Sequence, residues 1–234
     1  MKKHIPNLFT CLNLFSGCIA CTMAFQGEYF WVVFFVILGS IFDFFDGFMA
    51  RLLKAYSDIG KELDSLADLV SFGVAPSLIV FHYITSALGA ESALHSLQNI
   101  LPYFAFVLTI FSALRLAKFN IDTRQTTSFI GLPTPANALF WISLCYGLNE
   151  KFVASDTIVY IIIVLIVIFS LLMVSEIPMF SLKVKNLKLK GNELKYLLII
   201  FCIAAIAIWQ IMGIAATIIF YIALTLVSYK KVKE

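Results

Sequence analysis

Charge is what this sequence has least of. Asp, Glu, Lys and Arg together make up 13% of its 234 residues, about half the ~25% of an ordinary globular domain. Hydrophobic residues make up 61% and the mean hydropathy is +0.95, more apolar surface than a soluble fold can hide. A soluble enzyme and a disordered chain are excluded. Histidine is scarce too, with His4, His82 and His95 all distant in sequence from the acidic residues described below, which argues against a histidine-ligated zinc site. Five cysteines (Cys11, Cys18, Cys21, Cys145, Cys202) all lie in apolar stretches, where a thiol behaves as a small hydrophobe, so a secreted disulfide scaffold is excluded as well. Cys18 and Cys21 form a CxxC without a second pair, too little for a metal or redox motif. No hydrophilic stretch is long enough for a separate extramembrane domain, and no repeat or low-complexity tract occurs.

Long apolar runs fill the space that charge leaves. A hydrocarbon core about 30 Å thick needs roughly 20 apolar residues per helix, and the charge-free stretches predict spans near 7–26, 29–53, 60–85, 97–119, 133–149, 156–177, 194–210 and 213–229. The expected fold is an all-α integral membrane protein, a polytopic helical bundle of eight transmembrane helices forming one domain over 1–234. Residues 196–229 carry no charge and are too long for one span, so a tight turn is expected at Gln210 and Gly213; six spans with interfacial helices is the alternative. Lys2 and Lys3 before the first apolar run imitate a secretory signal. The run reads instead as an uncleaved span, because more membrane follows and Asn7, Thr10 and Asn13 at helical spacing are foreign to a signal's apolar core. Pro133 and Pro135 are expected to shape the turn into the fifth span, and Glu176-Ile-Pro178 to end the sixth. On this topology sixteen of the seventeen Lys and Arg fall on one side and only Lys151 on the other, which places both termini in the cytoplasm by the positive-inside bias.

The acids are concentrated rather than scattered. Five of the seven Asp fall between 43 and 68, in the pattern Asp43-x2-Asp46-Gly47-x2-Ala50-Arg51-x8-Gly60-x3-Asp64-x3-Asp68. On helices, Asp43, Asp46, Gly47 and Ala50 share one face, as do Gly60, Asp64 and Asp68. A carboxylate at mid-membrane depth costs about 2.5–3.5 kcal/mol on insertion scales, and four together also repel one another, so cations are expected among them. All-oxygen ligation favours Mg²⁺, Mn²⁺ or Ca²⁺, and four carboxylates suit two divalent ions of the kind that clamp both oxygens in phosphoryl transfer. Gly47, Ala50 and Gly60 would let a bulky ligand approach the backbone, close helix packing being the plainer use of such residues. Arg51 is placed to pair with a phosphate.

The whole spacing resembles the signature of the CDP-alcohol phosphatidyltransferases, membrane enzymes that pass a phosphatidyl group from a CDP-linked lipid to an alcohol; all eight signature positions match. The resemblance implies that Asp43, Asp46, Asp64 and Asp68 bind two divalent cations, that Asp68 is also the general base, and that Gly47, Ala50, Arg51 and Gly60 hold the CDP moiety, with Ser57 a phosphate contact. Further segments, Ile5–Gly17, Asp64–Pro76, Ala113–Asn120 and Gly131–Ala136, are similar to the members that use serine as acceptor, whereas those using glycerol phosphate typically carry Arg where Asn13 stands. The implied reaction converts CDP-diacylglycerol and L-serine to phosphatidylserine and CMP at the cytoplasmic membrane, and a homodimer is implied with it. A serine carboxylate needs a cation, for which Arg115 and Lys118 are placed, followed by Asn120 and Arg124; positive-inside anchoring explains the same residues. Residues 137–234 add only hydrophobicity to the resemblance. The rival readings are the same chemistry with glycerol phosphate or inositol, and an intramembrane cation transporter. Arg51 beside the acids is an obstacle to the latter.

Overall fold

The computed structural model describes residues 4–89, 92–122, 129–179 and 192–233, with side chains through residue 227 except at Phe129. The predicted Arg124 and the lysines at 183, 185, 188 and 190 lie outside the described residues, as do the side chains of Lys230, Lys231 and Lys233.

Helices follow the apolar runs closely. They are α1 His4–Phe25, α2 Tyr29–Leu52, α3 Asp58–Asp68, α4 Ala75–Ala87, α5 Phe106–Ile121, α6 Thr134–Lys151, α7 Asp156–Val174, α8 Glu193–Trp209 and α9 Met212–Lys233. A six-residue π-helical segment, Leu69–Val74, joins α3 to α4, so the run expected at 60–85 is one rod from Asp58 to Ala87. Pro76 offers a reason for the wider turn: in an α-helix its ring would press on the carbonyl four residues back, and a π-bulge relieves that contact. A 3₁₀ turn, Leu101–Ala105, opens α5. The turn expected at Gln210 is present, with Gln210 at φ +57 between α8 and α9.

Among the described residues, five rods are long and apolar enough to cross a membrane: His4–Phe25, Tyr29–Leu52, Asp58–Ala87, Leu101–Ile121 and Asp156–Val174. The stretch Met212–Val227 is apolar but shorter. The one strand pairing among the described residues is antiparallel, of β1, Phe129–Ile130, with β2, Pro178–Met179, which ties the approach to α6 to the exit of α7. Gly131, next in the chain, sits at φ +74, and a Cβ there would collide with the Met173 carbonyl oxygen.

The core is aromatic at its centre. Trp141, Phe140 and Phe169 are buried, and the Phe140 and Phe169 rings stack with centroids 4.0 Å apart. Outward faces of α2 and α7 expose Phe34, Phe44, Ile161, Val164 and Ile168, the surface that hydrocarbon covers in a bilayer. α1 packs against α2, α3 and the π-helical segment, while α5 packs against that segment and α7. The N-terminal half of the chain therefore wraps α2 and α3 around α1.

Candidate functional site

The turn between α2 and α3 is built to bring two acidic faces together. α2 ends in a Schellman motif: Ala55 N–H donates to the Ala50 carbonyl over 3.0 Å and Lys54 N–H to that of Arg51 over 3.3 Å, with Lys54 itself at φ +50. That left-handed position normally falls to glycine, because a Cβ there costs about 1–2 kcal/mol. α3 then starts on Ser57, whose Oγ accepts from Gly60 N–H at 3.0 Å, and carries Asp58 in its first turn, where the helix dipole favours an anion.

Asp43 from α2 and Asp64 and Asp68 from α3 converge: each offers a carboxylate oxygen, and the three oxygens all lie within 4.8 Å of one another. Asp46, one turn along from Asp43, stands beside the trio and near enough for its carboxyl to interact with that of Asp64. It is also tied to α1, through Thr10 Oγ1, which donates to Asp46 Oδ2 over 2.7 Å. Asn13, one turn further along α1, donates from Nδ2 to Asp68 Oδ1 over 3.0 Å. Asp64 Oδ1 is buried with no hydrogen-bond partner among the described residues. An orphaned carboxylate oxygen inside a cluster of like charges is costly, and a hard divalent cation matches both the donor type and the charge of the set. The residues fit the ions that the sequence implied.

Beside the acids lies an open cleft of about 210 Å³, lined by Pro6, Asn7, Thr10, Asp46, Gly47, Ala50, Ala55, Tyr56, Ser57, Gly60, Lys61 and Asp64. Four of the five residues expected to hold the CDP moiety, Gly47, Ala50, Ser57 and Gly60, are in that wall. Arg51 is exposed and is not part of it, since one residue along a helix turns the side chain about 100° away from the face of Ala50. The two glycines differ. A Cβ on Gly47 would meet nothing within 4 Å, whereas one on Gly60 would lie 2.9 Å from Ser57 Oγ and 3.1 Å from Asn7 Oδ1. Gly47 leaves room for a ligand, and Gly60 is small because the α3 cap and α1 crowd it.

The three residues expected to bind serine go to different places. Arg115 is buried, with its guanidinium carbon 5.3 Å from the Phe119 ring centroid, and it interacts electrostatically with Asp68 across the α3–α5 contact. Lys118 instead forms an ion pair with Glu176 and donates to the Val174 carbonyl over 3.3 Å, fastening α5 to the end of α7. Asn120 donates to Ser65 Oγ over 2.8 Å and accepts on its backbone oxygen from Lys61 Nζ over 2.7 Å, so it locks α5 to α3 one residue from Asp64. Sequence reasoning missed the α1 wall of the site. Its signal was there, in Asn7, Thr10 and Asn13 at helical spacing, and only their partners were invisible.

Residues 3–172 match the family of CDP-alcohol phosphatidyltransferases. Among similar proteins is one from Bacillus subtilis named CDP-diacylglycerol--serine O-phosphatidyltransferase, 37% identical over 155 residues, 66% of this chain and 82% of that protein. A protein of the same name from Helicobacter pylori is 39% identical over 149 residues, 63% of this chain and 59% of its own length. An archaetidylserine synthase from Methanothermobacter thermautotrophicus is 30% identical over 137 residues, 58% of this chain and 54% of that protein. The chain thus spans most of the Bacillus relative and somewhat over half of the other two. With five helices able to cross a bilayer and a family match over more than half of its length, this multi-pass membrane protein belongs to the CDP-alcohol phosphatidyltransferase family.

Proposed function

We propose that this protein transfers the phosphatidyl group of CDP-diacylglycerol to the hydroxyl of L-serine, giving phosphatidylserine and CMP. The observation that carries the reading is the convergence of Asp43, Asp64 and Asp68 beside a cleft walled by the small residues of the same motif. The names of the similar proteins from Bacillus and Helicobacter support serine as the acceptor.

Asp43, Asp64 and Asp68 together with Asp46 would hold two divalent cations, Mg²⁺ or Mn²⁺ with Ca²⁺ as a possible occupant, which supply charge neutralisation at the pyrophosphate and its leaving oxygen. Asp68, held at Oδ1 by Asn13, takes the proton from the serine hydroxyl. The hydroxyl oxygen then bonds to the lipid-bearing phosphorus as the bond to the CMP oxygen breaks, and the electron pair leaves with CMP. The displacement is direct, because Ser65, the hydroxyl nearest the acids in sequence, is taken up by Asn120 and the Lys61 carbonyl. Gly47 admits the donor to the α2 backbone, and Ser57, whose cap uses a lone pair and not its proton, can donate to a phosphate oxygen. Arg115, buried and in electrostatic contact with Asp68, receives the serine carboxylate.

In this reading all eight rods cross the cytoplasmic membrane, with both termini and the acidic cleft on the cytoplasmic side, in keeping with sixteen of seventeen basic residues on that side. The homodimer implied by the family resemblance belongs to the same reading. The test is CMP release by purified protein in vesicles containing CDP-diacylglycerol and a divalent ion, with serine, glycerol phosphate or inositol supplied in parallel. Release with serine alone is expected; release with another acceptor and none with serine overturns the assignment.

A further inference from the structure

We infer that Thr10 and Asn13 of α1 are positioning residues for the divalent-ion site, each pinning one oxygen of an acidic side chain so that the other is presented to the metal. The inference rests on the divalent-ion reading above. Thr10 and Asn13 are 2% and 0% exposed, so their side chains meet protein rather than water. An ionised carboxylate only accepts, and it turns about its last torsion unless something holds it. The Thr10 hydroxyl has one proton and two acceptors in reach, Pro6 O at 3.2 Å and Asp46 Oδ2 at 2.7 Å. The shorter, charge-assisted bond takes the proton. Asn13 gives an amide hydrogen to Asp68 Oδ1, fixing which edge of that carboxylate faces Asp43 and Asp64.

A donor can only orient a ligand if it is itself held, and α1 is held at this level from two sides. Ser71 Oγ of the π-helical segment donates to the Asn13 backbone carbonyl over 3.0 Å. A Cβ on Gly17 would lie 2.9 Å from Ser71 Cα, and one on Gly39 would lie 3.0 Å from Asn13 Oδ1. Both glycines let neighbouring helices close on α1 with Asn13 between them. Asp68 is the residue before that π-helical segment, so Ser71 locks the Asn13 backbone one turn from the carboxylate that the Asn13 side chain grips. Thr10 and Asn13 thus serve one metal-binding helix each, α2 through Asp46 and α3 through Asp68.

Outer partners of this kind typically change metal affinity about 10- to 100-fold. The test is Mn²⁺ binding to the purified full chain, followed by electron paramagnetic resonance without substrates, alongside thermal unfolding in chelator. Thr10→Val keeps the shape and removes the proton; Thr10→Ser keeps the proton. Expected are a 10- to 100-fold weaker Mn²⁺ affinity in Thr10→Val and in Asn13→Leu, wild-type affinity in Thr10→Ser, and for the Thr10 pair equal unfolding midpoints in chelator. Wild-type affinity in both Thr10→Val and Asn13→Leu overturns the inference, and so does an equal loss in Thr10→Ser and Thr10→Val, which would mark packing rather than the hydroxyl. Should Asn13→Leu fail to fold, the Thr10 pair decides alone. If the unmodified protein binds no Mn²⁺, the divalent-ion reading itself falls, an outcome distinct from the others.

Discussion

Replacing Gly47 by alanine separates a glycine kept for a ligand from one kept for packing. The site is within α2, where glycine is less favourable than alanine by about 0.5–1 kcal/mol. The new methyl would meet no protein atom within 4 Å, so nothing offsets that gain. At about 2–4 °C per kcal/mol for a chain of this size, the unfolding midpoint should hold or rise by roughly 1–4 °C. The same methyl projects into a cleft of about 210 Å³ against whatever fills it. Forcing a methyl into a filled space costs about 1–3 kcal/mol, which at 1.4 kcal/mol per decade is roughly a 5- to 150-fold loss. The assay is CMP release across a range of CDP-diacylglycerol at saturating serine, with melting recorded on the same preparation. Expected are a raised KM for the lipid donor, an unchanged KM for serine and undiminished stability. A lower melting point with an unchanged donor KM refutes the reasoning. Gly60→Ala serves as the contrast, because its Cβ would press on Ser57 Oγ and Asn7 Oδ1 at 2.9 and 3.1 Å, and it should lower stability and activity together.

Asp68→Asn should abolish turnover while the protein stays folded, since an amide oxygen can still accept from Asn13 but cannot take the serine proton; measurable turnover would remove its role as base. Arg115→Ala should raise the KM for serine more than that for the lipid donor, and equal effects on both would reassign Arg115 to holding helices together. Lys118→Ala, which breaks a pair with Glu176 at the surface, should shift stability by no more than about 1 kcal/mol and leave the serine KM alone. Gly131→Ala should be destabilising by about 1–3 kcal/mol, because φ is +74 and the Cβ would collide with the Met173 carbonyl; an unchanged melting point would refute that.

The positions of the rods were legible in the sequence, because charge interrupts hydrophobicity at almost every turn of this chain. The expected 156–177 became Asp156–Val174, and the turn at Gln210 appeared where the charge-free stretch was too long. Crossing was less legible than position. α6 is not among the five helices apolar enough to cross, and the reason is its neighbours rather than its length. It buries Thr134, Asn137, Ser143, Cys145 and Gly147 among α2, α4 and α9, so much of its surface faces protein, where small and polar residues pack well. α7 exposes Ile161, Val164, Ile168 and Leu171 and is the most apolar of the candidate spans. Hydropathy here follows how much of a helix surface is exposed, which is why α6 falls outside the five, whereas α8, at 17 residues, and the described part of α9 fall outside on length.

The acidic motif was legible for the opposite reason, that everything in it is local. Asp43 and Asp46 share a helix face, as do Asp64 and Asp68, and spacing alone gives both. Spacing does not say which acids close on one another. Three meet within 4.8 Å, while Asp46 stands to the side on Thr10, 36 residues away in sequence, and Asp68 is gripped by Asn13 from 55 residues away. No periodicity links residues so far apart. What the sequence did carry was a cost without a return: Thr10 and Asn13 are polar side chains in an apolar helix, and a buried donor without an acceptor is unfavourable by about 1–3 kcal/mol. Such donors imply acceptors elsewhere in the bundle, and in a chain with seven aspartates, five of them between 43 and 68, the acceptors available to a neighbouring helix are few. The polar stripe on α1 and the acidic stripes on α2 and α3 are therefore halves of one pattern, each accounting for the other's cost.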